Sequence, residues 1–145
     1  MLRFLTAGES HGRGLVTIIE GIAAGLEISE DYIAVQLKRR QGGYGRGARM
    51  KIEQDYAEII SGVRHGFTIG SPISMLVWNK DWENWQESMS ITSVDTEIEP
   101  VTKLRPGHAD LAGVAKYNLD DIRPILEHGP LNVEQKVTKV MLSHY

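Results

Sequence analysis

The chain opens with the apolar run LRFLT at residues 2–6, which reads as a short strand. The β-branched run LVTII at 15–19 reads as a second. The glycines of GESHGRG lie between them and predict a hairpin-like connection. Ser29 stands where a helix N-cap is expected, with Glu30 and Asp31 in the first turn. Tyr32, Ile33 and Leu37 then fall near one face. Lys38, Arg39 and Arg40 close that helix at its negative end, and Gly42-Gly43 stops it. YAEIIS at 56–61 and PISMLV at 72–77 read as strands around a turn at Gly66–Ser71. From Asn79 to Pro100 the pattern lapses. The stretch is polar, carries Trp82 and Trp85, and has no clear period, so it reads as an excursion or lid rather than core. RPGHAD at 105–110 forms a further loop before a helix near Leu111–Tyr117. No repeat and no interdomain linker divides the chain.

Composition narrows this picture. With 145 residues, 41% hydrophobic and 24% charged, the chain is expected to form one soluble globular unit. A chain of this size can bury roughly 68–70% of its unfolded surface. A net charge of -3 gives no reason to expect nucleic acid or an anionic membrane as partner. Cysteine is absent, which excludes disulfides and thiolate metal ligands, and no metal site is expected. The start has too short an apolar run for a signal peptide. GLVTIIEGIAAG, the most apolar stretch, is interrupted by Glu20 and is too short to span a bilayer. The expected compartment is the cytoplasm.

Charge is not spread evenly. KRRQGGYGRGARMK, from Lys38 to Lys51, holds six basic residues and no acidic one. Most charge runs are solvated faces, and GGYGRGAR also has the style of an RNA-binding Gly/Arg segment. Magnitudes favour a ligand. Two like charges 4 Å apart near a surface repel by about 4 kcal/mol, whereas an exposed ion pair contributes about 0–1 kcal/mol. If Arg40, Arg46 and Arg49 converge, an anion must offset their repulsion. Glycines let backbone amides approach the same anion, and arginines add bidentate contacts to carboxylate or phosphate. A small polyanionic substrate is the expected ligand.

GESHG at 8–12 fits the Gly-x-Ser-x-Gly elbow of serine hydrolases. That elbow needs a helix after the serine and an oxyanion donor from an earlier loop. Here the next segment is β-rich and almost no chain precedes Ser10, so a serine hydrolase ranks last. A tight turn suits Gly, Ser and Glu better, and it leaves His11 open to a ligand. His108, beside Arg105 and Asp110, is by itself a turn histidine, and His65 is incidental. Two histidines in glycine-bearing loops with an arginine-rich loop between them suggest acid chemistry on an anion.

Four blocks resemble the N-terminal part of the chorismate synthase family. They are FLTAGESHGRGLVTIIEGIAAGL at 4–26, RRQGGYGRGARMKIEQD at 39–55, SGVRHGFTIGSPI at 61–73 and RPGHADLAGVAKYNLDDIRPILE at 105–127. The resemblance implies an α+β sandwich of β-sheets and helices, assembled as a homotetramer. It implies loss of phosphate and a ring hydrogen from 5-enolpyruvylshikimate 3-phosphate to give chorismate. That anti-1,4-elimination uses reduced FMN, with NADPH as flavin reductant in some members. In the family pattern His11 is a proton donor to the departing phosphate, and His108 serves the reduced flavin. Arg40, Arg46, Arg49 and, more weakly, Arg105 match positions that hold the anionic substrate or the nicotinamide cofactor. Ser10 becomes a supporting residue.

After Glu127 the resemblance stops. The family continues with a helix of the form R-A-S-x-R-E-T-A, whereas this chain reads HGPLNVEQKVTKVMLSHY. Gly129-Pro130 would break such a helix. Codons for HGPLNVEQ exist that, read in another frame, spell R-A-S-E-R-G-T, which points to a shifted reading frame after Glu127. Residues 1–127 are thus expected to be the N-terminal part of a chorismate synthase domain and 128–145 a non-family tail. Such a chain is expected to be inactive and poorly folded by itself. The alternative function is a non-catalytic module binding a phosphorylated metabolite or RNA through the basic loop, with strong salt dependence.

Overall fold

The structure is a computed structural model that describes residues 1–9, 11–41, 55–106 and 110–123. Two strands open it, β1 (Arg3–Ala7) and β2 (Gly14–Glu20), followed by helix α1 (Glu30–Gln41). Next come β3 (Ala57–Ser61), the short strands β4 (Val63–Arg64) and β5 (Phe67–Thr68), and β6 (Ile73–Trp78). A second helix, α2, spans Asp110–Tyr117. The main sheet is antiparallel in the order β1-β2-β6-β3, and β4 pairs with β5 separately. Among the described residues no helix is long and apolar enough to cross a membrane.

The alternation read from the sequence sets the two faces of the sheet. Thr17 lies opposite Met75 and Ile19 opposite Ile73, and all four are buried. Ala57, opposite Val77, extends the same face into β3. On α1, Ile33 and Leu37 are fully buried in this cluster, while Tyr32 is half-buried at the margin. Burying each large aliphatic side chain contributes about 1.5–3 kcal/mol. The opposite face remains apolar yet exposed, with Leu5, Val16, Ile18, Ile60 and Trp78 all accessible.

Ser29 caps α1 as expected, its Oγ accepting the Tyr32 amide at 3.1 Å. Glu30 does more than favour the positive end of the helix. Its carboxylate accepts the Ile59 amide at 2.7 Å and the Tyr56 hydroxyl at 2.7 Å, tying α1 to the edge strand. That hydrogen bond is the main reason the Tyr56 phenol lies above its ordinary pKa.

The connection between β3 and β6 is larger than a single turn at Gly66–Ser71. It contains the β4–β5 hairpin, with His65 (φ 53) and Gly66 (φ 82) as the two turn residues. Two consecutive positive φ values match the twist of a two-residue hairpin. Thr68, buried on β5, accepts the Leu26 amide at 3.0 Å and donates to the Ala23 carbonyl at 2.6 Å. This anchors the hairpin to the segment before α1. At the other end of the chain Asn118 (φ 50) terminates α2, its amide donating to the Val114 carbonyl at 2.9 Å.

The buried face of α1 yields a paired prediction. Ile33→Ala is expected to destabilise the fold by about 2–5 kcal/mol. Val35→Ala, on the exposed side, should stay within about 0.5 kcal/mol. Urea unfolding followed by far-UV circular dichroism measures both, and equal losses would contradict the assigned face.

Candidate active site

His11 lies in the connection between β1 and β2. Gly8, which starts it, has φ +147, and a Cβ there would stand 2.5 Å from Leu15 Cδ2 and 2.9 Å from the Gly14 carbonyl oxygen. Glycine therefore meets both a backbone and a packing requirement. The Gly12 amide donates to the Glu9 carbonyl at 3.1 Å, closing a turn around position 11. Opposite Gly14, β6 comes so close that a Cβ on Gly14 would lie 2.8 Å from the Val77 carbonyl oxygen.

Asn79, directly after β6, fastens this loop twice. Its backbone amide donates to the Arg13 carbonyl at 3.0 Å, and its side-chain amide donates to the Gly12 carbonyl at 2.9 Å. Its own side-chain oxygen accepts the Asp81 amide at 3.0 Å, a turn stabilised by the asparagine itself. A single 3-10 turn at Trp82–Asn84 follows. Asp81 accepts the Trp85 indole N–H at 2.8 Å and the Asn84 side-chain amide at 2.6 Å. The Trp85 ring then meets the His11 ring, centroids 4.3 Å apart and planes at 66°, an edge-type contact of the kind aromatic pairs prefer. Both residues are half-buried.

A cavity of about 610 Å³ opens beside this loop, lined among others by Glu9, Arg13, Trp82, Ser90 and Asp121. Its charge is mixed. Arg13 also stands over the Trp78 ring, 5.3 Å from its centroid, a cation–π arrangement. Burial alone would raise the Asp121 carboxyl. Hydrogen bonds from the Arg123 side chain and backbone, with the Arg123 charge, outweigh that and hold it below the usual carboxylate range. Arg123 is itself buried and donates to the Glu99 carbonyl at 2.9 Å.

Arg105 is engaged with Asp110. Its backbone amide donates to Asp110 Oδ2 at 2.8 Å, and its guanidinium makes bonds of 3.0 and 2.9 Å to the two carboxylate oxygens. Asp110 is buried at the start of α2, so this pair meets the donor need of a buried carboxylate there. His65 is an exposed residue of the β4–β5 turn, accepting from Arg64 Nε at 3.3 Å. Ser10, Arg46, Arg49 and His108 lie outside the described residues, as do the Arg40 side chain and the tail from residue 128. The polar stretch after β6 is more than an excursion, because it supplies Asn79, Asp81 and Trp85 to the histidine loop. Two tryptophans in an aperiodic polar segment were the available sign of a packing role there.

The chain is similar to proteins of known family. The family model described as chorismate synthase matches residues 2–129. The chorismate synthase of Aquifex aeolicus (strain VF5) is 61% identical over 127 residues, covering 87% of this chain and 32% of its own length. That of Geobacter metallireducens is 63% identical over 129 residues, covering 88% of this chain and 33% of its own. A crystal structure of chorismate synthase matches 99% of this chain and 33% of the solved one, with TM-score 0.68 and 39% identity. The chain thus spans about a third of the length of the curated relatives it matches.

Two outcomes test the geometry. Asn79→Ala leaves the Gly12 carbonyl without its side-chain donor and should cost about 1–3 kcal/mol, read by urea unfolding. Asp121 has a lowered pKa in the folded chain, so its stabilising contribution is complete above the unfolded value of about 3.9 and disappears as pH falls through the lower folded value. The stability gap between the native chain and Asp121→Asn should therefore narrow on acidification below about pH 4. A gap independent of pH would contradict the pairing with Arg123.

Proposed function

The chain belongs to the chorismate synthase family, and on that premise we propose that it is the N-terminal part of a lyase that converts 5-enolpyruvylshikimate 3-phosphate to chorismate. The reaction is an anti-1,4-elimination of phosphate and a ring hydrogen. The observation that carries this reading is the family match over residues 2–129, which includes the glycine-bound loop around His11. In this reading His11 gives a proton to an oxygen of the departing phosphate. Histidine suits that task, because its ordinary range lies closest to neutral pH among the side chains and its ring can be aimed. Arg40, Arg46 and Arg49 hold the phosphate and carboxylates of the substrate, and Ser10 supports the loop. Arg105, bound bidentately to Asp110, is in this reading occupied by that carboxylate at the start of α2.

Reduced FMN is the cofactor of the proposal, with NADPH as a possible source of its electrons, and it would supply the transient electron density that the elimination requires. The described residues do not by themselves fit a flavin phosphate. The cavity beside His11 is lined by one arginine, Arg13, and by two carboxylates, Glu9 and Asp121. No step is therefore assigned through the flavin. Positive charge for an anion would come from the basic loop and from the remaining length that relatives possess. The exposed apolar face formed by Leu5, Val16, Ile18, Ile60 and Trp78 supports an assembled state, for which the proposal is a homotetramer in the cytoplasm. A patch of this kind is covered in most proteins.

A chimera tests the function. Residues 1–127 would replace the 127 matched residues of the Aquifex aeolicus relative, and phosphate release would be followed anaerobically with reduced FMN. The chimera is expected to turn over, and His11→Ala to lower kcat by about 10²–10⁴-fold. A folded chimera that binds substrate and releases no phosphate would overturn the reading. The 145-residue chain by itself is expected to release none.

A further inference from the structure

We propose that Trp85, held by Asp81, is the positioning residue that sets the orientation of the His11 imidazole. The functional consequence rests on the reading of His11 as proton donor, while the orientation itself does not. His11 sits on a loop rich in glycine, where the backbone restricts a side chain little. The terminal torsion of a histidine is broad and roughly two-fold. Without the Trp85 contact the ring would lose one of its restraints, and the nitrogen presented to a ligand would be less well defined. A proton donor has to keep one nitrogen within hydrogen-bond reach of its acceptor.

The structure refers both the backbone and the ring of this loop to the same short segment. Asn79 binds the carbonyls of Gly12 and Arg13. Asn79 Oδ1 accepts the Asp81 amide, and Asp81 Oδ2 accepts the Trp85 indole N–H. The indole returns to the loop through the His11 ring at 4.3 Å and 66°. This is a closed circuit: loop backbone, Asn79, Asp81, Trp85, imidazole, loop. Asp81 is further fixed by Asn84 through its second carboxylate oxygen. Rotation of the imidazole must break the edge contact, and rotation of the indole must break its bond to a carboxylate.

The test uses the 145-residue chain, or the chimera where that chain alone does not hold the sheet, with ¹³C-labelled histidine and no substrate, so its outcome does not depend on the proposed reaction. In the native chain the His11 ring protons should be displaced by the Trp85 ring current, relative to exposed His65. Trp85→Leu should return them to values like those of His65 while the amide shifts of β2 and β6 persist. Trp85→Phe should recover most of the displacement. Carbethoxylation of His11, followed by peptide mass, should accelerate about 2- to 10-fold in Trp85→Leu. If Trp85→Leu disturbs the sheet, Asp81→Asn decides, because it keeps the indole and weakens its anchor, and a reduced displacement is expected. Unchanged His11 ring resonances in Trp85→Leu with an intact sheet, or in Asp81→Asn, would overturn the proposal. Loss of ring displacement in a chain whose chimera releases no phosphate would sink the functional reading and leave the positioning intact.

Discussion

Strand β6 pairs with β2 from Trp78 opposite Gly14 to Ile73 opposite Ile19. Through this ladder a segment near the middle of the chain is held against the loop that carries His11, with Asn79 and Gly12 in contact although 67 positions apart. The ladder buries Ile19, Ile73, Met75 and Val77 on the side of α1. A one-residue slip would turn those side chains outward, so the register is specified by the core. The same register places the end of β6 beside the start of β2. The histidine loop, the Asn79 clamp and Trp85 all follow from that alignment. The absence of a side chain at Gly14 permits the approach, since a Cβ there would press on the Val77 carbonyl.

The electrostatics of the described residues are arranged for cohesion. Arg105 joins Asp110, Arg123 joins Asp121 and the Glu99 carbonyl, and Glu30 gathers donors from β3. Each of these pairs fixes a chain segment: the entry to α2, the segment after it, and the start of α1. A buried carboxylate such as Asp110 is costly without its partner, which makes Arg105 important to the fold whatever else it contacts. An anion with several negative charges would meet Arg13 together with two acids, Glu9 and Asp121, in the lining of the cavity beside His11. The charge that the proposed substrate needs is concentrated instead in KRRQGGYGRGARMK. The cohesive arginines thus lie apart in the sequence from those the proposal assigns to the ligand.

The two faces of the sheet carry a related lesson. One face meets α1 and is closed, and the other shows Leu5, Val16, Ile18, Ile60 and Trp78 to solvent. An antiparallel sheet with one wet face normally alternates apolar and polar positions. Here the outward face is mixed: these apolar side chains stand among the polar Arg3, Glu20, Glu58 and Ser74.

Local sequence determined much of this protein. Strand runs, the Ser29 cap, the face bearing Ile33 and Leu37, and the helix after RPGHAD depend on propensity and period, which act over a few residues. The four family blocks likewise identified the family, because long ordered stretches are specific. Tertiary structure decided what depends on distant contacts. The β4–β5 hairpin inside an expected turn arises because Thr68 finds partners at Ala23 and Leu26. Arg105 turns toward Asp110 because a buried carboxylate demands a donor. Trp85 reaches His11 because the β2–β6 ladder brings their segments together. None of these has a periodic signature, since each is a contact between residues whose spacing in the chain says nothing about their distance in space.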